Sequence, residues 1–379
     1  MKNKLAFHLL FFICLPRVYS EEQAIHFSMN SDNRPIVFGT VHNTTGYFII
    51  DTGSPSVILF DPIQDLPEAD AAYNSYALLG ETFESKTHVV SGVTLGAAVI
   101  EEKFAVIQAP ETIKNVFSSE IKGIINILAL DKIVEISFSK RTIRLLDRVP
   151  ERYKESVSFI RQNAVCFIPV RVGGVEYLFR VDTGSDEAVD FPEIVLDAID
   201  KKNILHVAAT ADNTATNNSD YYIFKNHDFV LFNHVYKNSV CRTNTLGDKK
   251  MFGAIGTQVL QRYDMAFDPA AHTLFYKPLL PDILYDIFFN HTAYSAGLLN
   301  FDYTQEALIV KEVITNSPVW KAGLRPGHKI TKINDQDASG TPQTYMARIL
   351  QSNSAVKIEY YGEDNKKKTV KVKPKVLLK

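Results

Sequence analysis

The sequence predicts a mostly β protein made of two similar lobes followed by a small C-terminal β/α domain. Three observations support this prediction. The 379 residues include 24 Phe and 17 Tyr, which favour strands. The tetrapeptide Asp-Thr-Gly-Ser occurs twice, at 51–54 and 182–185, each time directly after an apolar, β-prone run. Similar strand-like runs surround the two copies in the same order, which indicates two small β domains.

Composition is that of an ordinary globular protein. A hydrophobic content of 46% is enough for real cores, and the length predicts two or three domains. The net charge of −2 gives no sign of a nucleic-acid partner. The ten His are scattered without a His-Glu-x-x-His pattern, so we predict neither a metal site nor a cofactor.

One acidic group needs a separate interpretation. Asp182, Asp186, Glu187 and Asp190 lie close together in the sequence, but their spacing does not fit a calcium-binding EF-hand loop. We therefore expect the last three to be solvated.

Residues 1–20 have the pattern of a secretory signal peptide. A basic start is followed by the apolar core Leu5–Leu15 and by a cleavage point before Glu21. The apolar run is too short to span a bilayer. The prediction is export to the periplasm or the extracellular space, and the alternative is a buried N-terminal helix.

Two cysteines remain after removal of the signal peptide. Cys166 and Cys241 both lie in the second half of the chain, so they could form a disulfide in an oxidising compartment. Two buried free thiols are the other interpretation.

The first lobe is assigned to residues 24–150. A hairpin is predicted from strands at 36–41 and 46–50, immediately before Asp51. Residues 62–80 are mixed in character and are predicted to be loop-rich. Further strand-like or apolar runs lie at 87–95, 99–107, 123–130, 133–138 and 142–146.

The second lobe is assigned to residues 151–280 and repeats this plan. A hairpin of strands at 167–172 and 175–179 precedes Asp182. The run at 253–260 matches the one at 123–130. Two closing strands are predicted at 263–268 and 273–276, and residues 281–293 are assigned to a linker.

Asp51 and Asp182 are the candidate catalytic residues. On average residue usage, one Asp-Thr-Gly-Ser is expected by chance in roughly one chain in two hundred of this length. Two facing carboxyl groups cannot both ionise and so share one proton. The ionised member can take a proton from water while the protonated member donates to a carbonyl oxygen, which is hydrolysis without a covalent intermediate.

The neighbouring residues suit this chemistry. Gly53 and Gly184 permit tight loops and close approach, and Thr52 and Thr183 offer hydroxyls for hydrogen bonds across the loop pair. The hydroxyls of Ser54 and Ser185 are predicted to hydrogen-bond the carboxylates and favour their charged form. The alternative is a pair of polar turns in which each Asp bonds its own backbone. Turns explain neither the repetition nor the preceding apolar runs.

These two motifs resemble those of the aspartic peptidases, over roughly residues 30–280. The short lobes are similar in size to retropepsins, which implies a bilobal fold of two fused retropepsin-like lobes. The resemblance implies that Asp51 and Asp182 hold the nucleophilic water and that Thr52 and Thr183 lock the loops together. It also implies polypeptide substrates and catalysis by a monomer. Our assignment for the flap over the substrate is Tyr73–Gly92.

The sequence departs from the family pattern at one position. The family usually has Gly where the first lobe has Asn126, whereas the second lobe keeps Gly256. Asn tolerates left-handed backbone better than most residues, so we expect a small effect.

Residues 294–379 resemble a bacterial-type PDZ domain. The pattern is a strand at Ala307–Val313, a helical turn that begins at Ser317-Pro318 and ends at Gly323, and a Pro-Gly turn before another strand. The resemblance implies that an extended peptide adds to the domain as a strand, flanked by a helix at 341–351.

The resemblance also indicates where a peptide carboxylate would bind. It implies that four residues form the carboxylate-binding loop, namely Ala296, Gly297, Leu298 and Leu299. The usual motif has a large apolar residue at the position of Ala296. A PDZ domain used only for docking on the lobes is the alternative.

These features predict an exported aspartic endopeptidase, active at mildly acidic pH, whose PDZ domain binds substrate or partner peptides. The rival hypothesis is a catalytically silent, protease-like scaffold that presents the PDZ domain to partners. A third is a peptidase whose flap opens only when a partner releases it.

Overall fold

The computed structural model describes ten segments of the chain, at residues 24–78, 81–114, 117–209, 220–225, 228–237, 240–243, 252–279, 294–303, 307–338 and 354–378. The predicted signal peptide, linker and PDZ helix at 341–351 lie outside these segments. In the described part the chain is mostly β, as predicted. None of the helices described there is both long enough and apolar enough to cross a membrane.

The first lobe consists mainly of short strands. They are Ile25–His26, Ser28–Met29, Pro35–Val41, Thr44–Ile50, Val57–Leu59, Glu68–Leu78, Glu81–Val90, Val93–Leu95, Ala98–Ile100, Phe104–Gln108, Ile121–Ile125, Ile133–Ser137 and Thr142–Leu146. A short α-helix lies at Glu111–Lys114 and a 3-10 helix at Ile127–Ala129. The hairpin before Asp51 is confirmed, since Pro35–Val41 pairs antiparallel with Thr44–Ile50.

Three sequence-based expectations about this lobe are wrong. The segment predicted to be loop-rich, 62–80, contains the strand Glu68–Leu78, which pairs with Glu81–Val90. The run at 87–95 is also broken, at Gly92 with φ +68°, and the run at 99–107 breaks after Ile100. Strand formation depends on pairing with a partner as well as on local apolar residues. The apolar pattern therefore did not predict Glu68–Leu78, and it predicted single strands at 87–95 and 99–107 where the chain has two each.

The second lobe follows the same pattern. Its strands are Glu155–Ser158, Ile160–Gln162, Val165–Val172, Val175–Val181, Val189–Phe191, Ile204–Ala209, Tyr221–Lys225, Asp228–Leu231, His234–Lys237, Val240–Thr243, Phe252–Ile255, Tyr263–Asp268 and Thr273–Pro278. Its helical turns are Glu193–Ala198, Lys201–Asn203 and Thr257–Leu260. The predicted hairpin and closing pair are confirmed by antiparallel pairing.

The strand that leads into each Asp-Thr-Gly-Ser loop is central in its sheet. Thr44–Ile50 lies between its hairpin partner and the parallel strand Ile121–Ile125. Val175–Val181 likewise lies between its hairpin partner and the parallel strand Phe252–Ile255. Strands with neighbours on both sides are buried, which explains the apolar runs before Asp51 and before the equivalent position of the second lobe.

A six-stranded sheet in the described part joins the lobes. It combines the closing strands of both, and Ile133–Ser137 pairs antiparallel with Tyr263–Asp268. Val134 lies opposite Phe267, and both side chains are buried in the common core. The two lobes therefore share backbone hydrogen bonds as well as apolar contacts.

The C-terminal domain has its own core. Its strands are Tyr294–Ser295, Leu298–Tyr303, Leu308–Ile314, Lys329–Ile333, Gln336–Asp337, Val356–Tyr361, Lys367–Val372 and Lys375–Val376. The predicted Ser-Pro turn is confirmed as the helix Pro318–Lys321, in which the Ser317 hydroxyl caps the Trp320 N–H at 3.3 Å. Val310, Leu324 and Ile358 are fully buried in this core.

The C-terminal domain contacts the second lobe through a strand. Leu308–Ile314 pairs antiparallel with Ile204–Ala209, so the two parts share one sheet. Beside this junction, Val207, Tyr221 and Ile314 pack together in a small buried cluster. The C-terminal domain is thus docked on the second lobe through a paired strand and a small apolar cluster.

Candidate functional site

The two Asp-Thr-Gly-Ser loops lie face to face where the lobes meet. Asp51 and Asp182 are nearly buried, at 7% and 6% exposure. The Asp51 N–H donates to the Ile125 carbonyl at 3.0 Å, and the Asp182 N–H donates to the Ile255 carbonyl at 2.9 Å. The parallel strand of each lobe thus fixes the start of its loop.

The two threonines bind each loop to the other. The Thr52 hydroxyl donates to the Val181 carbonyl at 2.7 Å and accepts from the Thr183 N–H at 3.1 Å. The Thr183 hydroxyl donates to the Ile50 carbonyl at 2.6 Å and accepts from the Thr52 N–H at 3.0 Å. Both threonines are fully buried, and the hydrogen bonds expected across the loops are present.

The glycines allow the loops to approach this closely. A Cβ atom at Gly53 would lie 2.4 Å from Cγ of Asp182, and one at Gly184 would lie 2.3 Å from Cγ of Asp51. Neither distance is possible between real atoms, so each loop needs a glycine opposite the carboxyl group of the other.

The proximity of the carboxyl groups has an electrostatic consequence. Burial, followed by the charge of Asp182 and a hydrogen bond with its side chain, raises the pKa of Asp51 to about 8. Arg180 and the Gly53 N–H act in the opposite direction. At neutral pH the pair therefore keeps one proton, which makes an acid and a base available at the same place.

The expected role of the serines is wrong. The Ser54 hydroxyl donates to the carbonyls of Asp51 and Ser56, at 3.4 and 3.0 Å. The Ser185 hydroxyl accepts from the Glu187 N–H at 3.3 Å. The tight turn directs both side chains toward the backbone of their own loop rather than toward the carboxylates.

Backbone donors take the place of the serine hydroxyls. The Gly53 N–H donates to Oδ1 of Asp51 at 2.7 Å, and the N–H groups of Gly184 and Ser185 both donate to Oδ1 of Asp182 at 3.0 Å. Each carboxyl group is thus oriented by its own loop, as in an Asx-turn.

Asn126 and Gly256 occupy their loops for different reasons. Asn126 has extended backbone, with φ −89°, so the left-handed conformation considered for it is not used. Its buried side chain donates to the Ser54 carbonyl and accepts from the Leu128 N–H at 2.9 Å. A Cβ at Gly256 would lie 2.3 Å from the Glu187 carbonyl oxygen. A close contact therefore requires glycine in the second lobe, whereas the first lobe uses an amide.

The acidic residues after the second loop are ion-paired and not simply solvated, which corrects that prediction. Asp190 is buried and lies 2.5 Å from Nε of Arg242, which also contacts Glu187 at 2.8 Å. Asp186 pairs with Arg34 of the first lobe at 3.1 Å. Within the described residues no His, Cys, Asp or Glu group could hold a metal ion.

Sequence reasoning missed Arg180. Its Nη2 atom lies 2.9 Å from Oδ2 of Asp182. The available signal was a charged residue inside an otherwise apolar run, at the position where the first lobe has Ile49.

Both cysteines are buried thiols. Burial raises the pKa of Cys166 to about 12 and also raises the pKa of Cys241. Of the two interpretations left open by the sequence, the structure therefore has two buried thiols rather than a disulfide.

The four residues predicted to bind a peptide carboxylate lie at the start of a strand in the C-terminal domain. Ala296 and Leu298 are buried in the core, and Leu299 packs toward the junction with the second lobe. Gly297 has φ +98°, and a Cβ there would lie 2.1 Å from the Ser317 side chain. Only glycine fits at this turn.

This strand leaves one edge open. Leu298–Tyr303 pairs with Leu308–Ile314 on one side, and on its other side no strand pairs with it among the residues that the structure describes. An open strand edge is what an added peptide strand requires.

Comparison with known proteins identifies this domain. A sequence profile of the PDZ domain family matches residues 309–359. This segment is a PDZ domain, as predicted, and domains of this class bind peptide ligands. No curated protein matches the chain.

Proposed function

We propose that this protein is an aspartic endopeptidase that activates water between Asp51 and Asp182. The observation that carries the proposal is the reciprocal packing of the two loops, in which each carboxyl group lies against the glycine of the other loop. The crossed threonine hydrogen bonds support it as well. The matching plans of the two lobes favour a bilobal, retropepsin-like architecture.

The mechanism follows from the single shared proton. The ionised carboxylate takes a proton from water, whose oxygen attacks the peptide carbonyl carbon. The protonated carboxyl group donates its proton to the carbonyl oxygen and gives a neutral tetrahedral intermediate. Collapse of that intermediate breaks the C–N bond: the nitrogen leaves with a proton from the pair, and a hydroxyl of the intermediate returns a proton to the pair, which restores the single shared proton. One water is consumed, and no cofactor takes part.

Polypeptide substrates are the proposed ligands of this site. The hairpin of Glu68–Leu78 and Glu81–Val90 includes most of the segment predicted as the flap, and it forms one end of the first-lobe sheet. We assign it the flap role because a two-stranded extension can cover an extended substrate. Export is part of the proposal, with residues 21–379 as the mature chain.

The main alternative is a silent scaffold that uses only the PDZ domain to bind peptides. The buried carboxyl pair argues against it, because burying ionisable groups costs stability and an idle site has no need of two. A flap that opens only with a partner is the third hypothesis. The proposed peptidase differs from both alternatives, because it alone cleaves peptide bonds as an isolated chain.

The test is cleavage of an unfolded protein mixture by residues 21–379. Asp51→Asn and Asp182→Asn should each lower the rate by at least roughly 10²–10⁴-fold, because general acid–base catalysis contributes this much. Asp228→Asn, at an exposed position of the second lobe, is the control and should not change the rate. A fully active Asp51→Asn or Asp182→Asn variant would exclude the proposal.

The same assay at different pH values tests the shared proton. The sequence suggested a mildly acidic range, but the raised pKa of Asp51 extends the singly protonated state to about pH 8. The rate should fall as the pH rises through about 8, because the acid is then lost. A rate that still increases above this pH would contradict the mechanism.

A further inference from the structure

The two lobes differ beside their carboxyl groups. Two residues before Asp51 the chain has Ile49, which is buried among apolar side chains. Two residues before Asp182 it has Arg180. Side chains two residues apart on a strand point to the same face. The Arg180 side chain therefore lies on the face of its strand that also carries the Asp182 carboxyl group. Among the described residues, the pair thus has an arginine beside Asp182 and an isoleucine at the matching position before Asp51.

Arg180 contacts the carboxyl group directly. Its Nη2 atom is 2.9 Å from Oδ2 of Asp182, and its side chain is 28% exposed. Its Nε atom is buried and has no hydrogen-bond partner among the described residues. Among the described residues, Asp182 is the one acidic residue that forms an ion pair with Arg180. The contact with Asp182 is therefore the interaction that explains an arginine at this position.

The other charged groups near the second loop are engaged elsewhere. Asp186 pairs with Arg34 across the lobes. Glu187 and Asp190 both pair with Arg242. The pKa of Asp51 responds to two nearby charges, that of Asp182, which raises it, and that of Arg180, which lowers it.

We propose that Arg180 is a positioning residue that keeps Asp182 as the ionised member of the pair and leaves the shared proton on Asp51. This inference rests on the proposed function, to which it adds the separate role of each aspartate. A cation in contact with a carboxyl group favours its charged form. Asp182 then takes the proton from water, and Asp51 donates its proton to the substrate carbonyl oxygen.

Burial does not distinguish the two carboxyl groups, which are 7% and 6% exposed, so the contact with Arg180 decides which of them is ionised. The pKa of Asp51 is raised by burial and by the charge on Asp182, so Asp51 holds its proton in the neutral range. No arginine contacts its carboxyl group in the described part of the chain. The Gly53 N–H is the donor that orients it.

The first test reads the charge of each carboxyl group without any need for activity. Carbon-13 NMR of the aspartate carboxyl carbons, assigned with Asp51→Asn and Asp182→Asn, is recorded near pH 6. In the parent we expect the Asp182 signal at the position of an ionised group and the Asp51 signal at that of a protonated group. Arg180→Gln should bring the two signals closer together, and Arg180→Lys should keep them apart.

The second test is the pH profile of kcat/KM. Loss of the cation in Arg180→Gln should move both limbs of the profile to higher pH, by roughly 1–3 units at the acidic limb. Arg180→Lys keeps the charge and should retain most of the parental profile. Arg171→Gln is the matched control, because Arg171 is 62% exposed in the same hairpin and pairs with Glu176.

The outcomes separate this inference from the proposed function. A parent that cleaves nothing contradicts the proposed function, whereas the NMR signals still report where the proton is. A proton on Asp182 in the parent overturns the role of Arg180. An Arg180→Gln variant with the same carboxyl carbon-13 signals and the same pH profile of kcat/KM as the parent also overturns it. If Arg180→Gln does not fold, the parent and Arg180→Lys spectra decide, because a loss of the signal separation in Arg180→Lys also overturns it.

Discussion

Among the residues of the site, the carboxyl pair is distinguished from two ordinary turns by its burial. A solvated aspartate in a turn is ionised at neutral pH. Asp51 is instead held in an environment that favours the protonated form. This protonation is necessary for acid–base chemistry, and it also makes the stability of the folded protein depend on pH.

Asp51→Asn should stabilise the protein increasingly as the pH rises. The pKa of Asp51 is higher in the folded than in the unfolded chain, so its contribution is fully present below about pH 4 and is lost as the pH rises to about 8. Asparagine does not titrate. The free energy of unfolding of the variant relative to the parent should grow over this range by a few kcal/mol, on the order of magnitude given by linkage.

Chemical denaturation at several pH values measures this difference. Asp228→Asn, which removes an exposed carboxyl group, should show almost no pH-dependent gain. A difference between parent and Asp51→Asn that stays constant with pH would contradict the raised pKa.

Individual roles were predictable where residue type restricts geometry. Thr52 and Gly53 act as the sequence predicted, because a hydroxyl next to a second loop and a glycine opposite a carboxyl group leave few alternatives. The direction of the Ser54 side chain was not predictable, because it depends on the turn that the fold imposes. Arg180 was missed because the sequence does not show that its side chain turns toward the Asp182 carboxyl group at the end of the strand.

Among the elements, the two loops behave as one unit. Each threonine hydroxyl serves as donor and acceptor for the backbone of the other loop, and both are buried. Removal of one hydroxyl would therefore leave two backbone groups of the opposite lobe without this partner.

Thr183→Val should destabilise the protein by about 1–3 kcal/mol for each buried group left unpaired. The groups concerned are the Ile50 carbonyl and the Thr52 N–H. Valine has nearly the same shape, so the loss comes from hydrogen bonds and not from a cavity. Thr183→Ser keeps the hydroxyl and is the control. Equal unfolding free energies for the two variants would show that the crossed bonds contribute little.

Sequence patterns located the elements whose own residues are apolar enough to indicate a buried strand. The hairpin before Asp51 was predicted from its apolar runs, and in Pro35–Val41 buried positions alternate with more exposed ones. Glu68–Leu78 was missed because its hydrogen bonds depend on the neighbouring strand Glu81–Val90. The order of elements was thus easier to predict than their ends.

Considered as a whole, the molecule is joined through its strands. The sequence predicted three parts along the chain, but it could not predict that the PDZ strand Leu308–Ile314 extends the sheet of the second lobe. Pairing between distant segments leaves no local pattern. Across this junction the Tyr221 hydroxyl also donates to Glu312 at 3.1 Å.

Peptide binding by the PDZ domain should be tested on the whole chain, because deletion of residues 294–379 would expose the junction cluster and remove a paired strand. Full-length Asp51→Asn, which should not cleave, is titrated with peptides in a calorimeter. A peptide with a free C-terminal carboxylate should bind more tightly than the same peptide with an amidated end. Absence of binding, or equal binding of both peptides, would favour a docking-only role.

The location of both loops on one chain has a consequence for symmetry. In an assembly of two identical chains every substitution occurs twice, so an arginine beside one carboxyl group would be matched by an arginine beside the other. Two flanking cations would favour ionisation of both groups and remove the proton that the proposed acid catalysis needs. A single chain permits Arg180 on one side and Ile49 on the other, so the two halves can differ while their backbones keep the same plan.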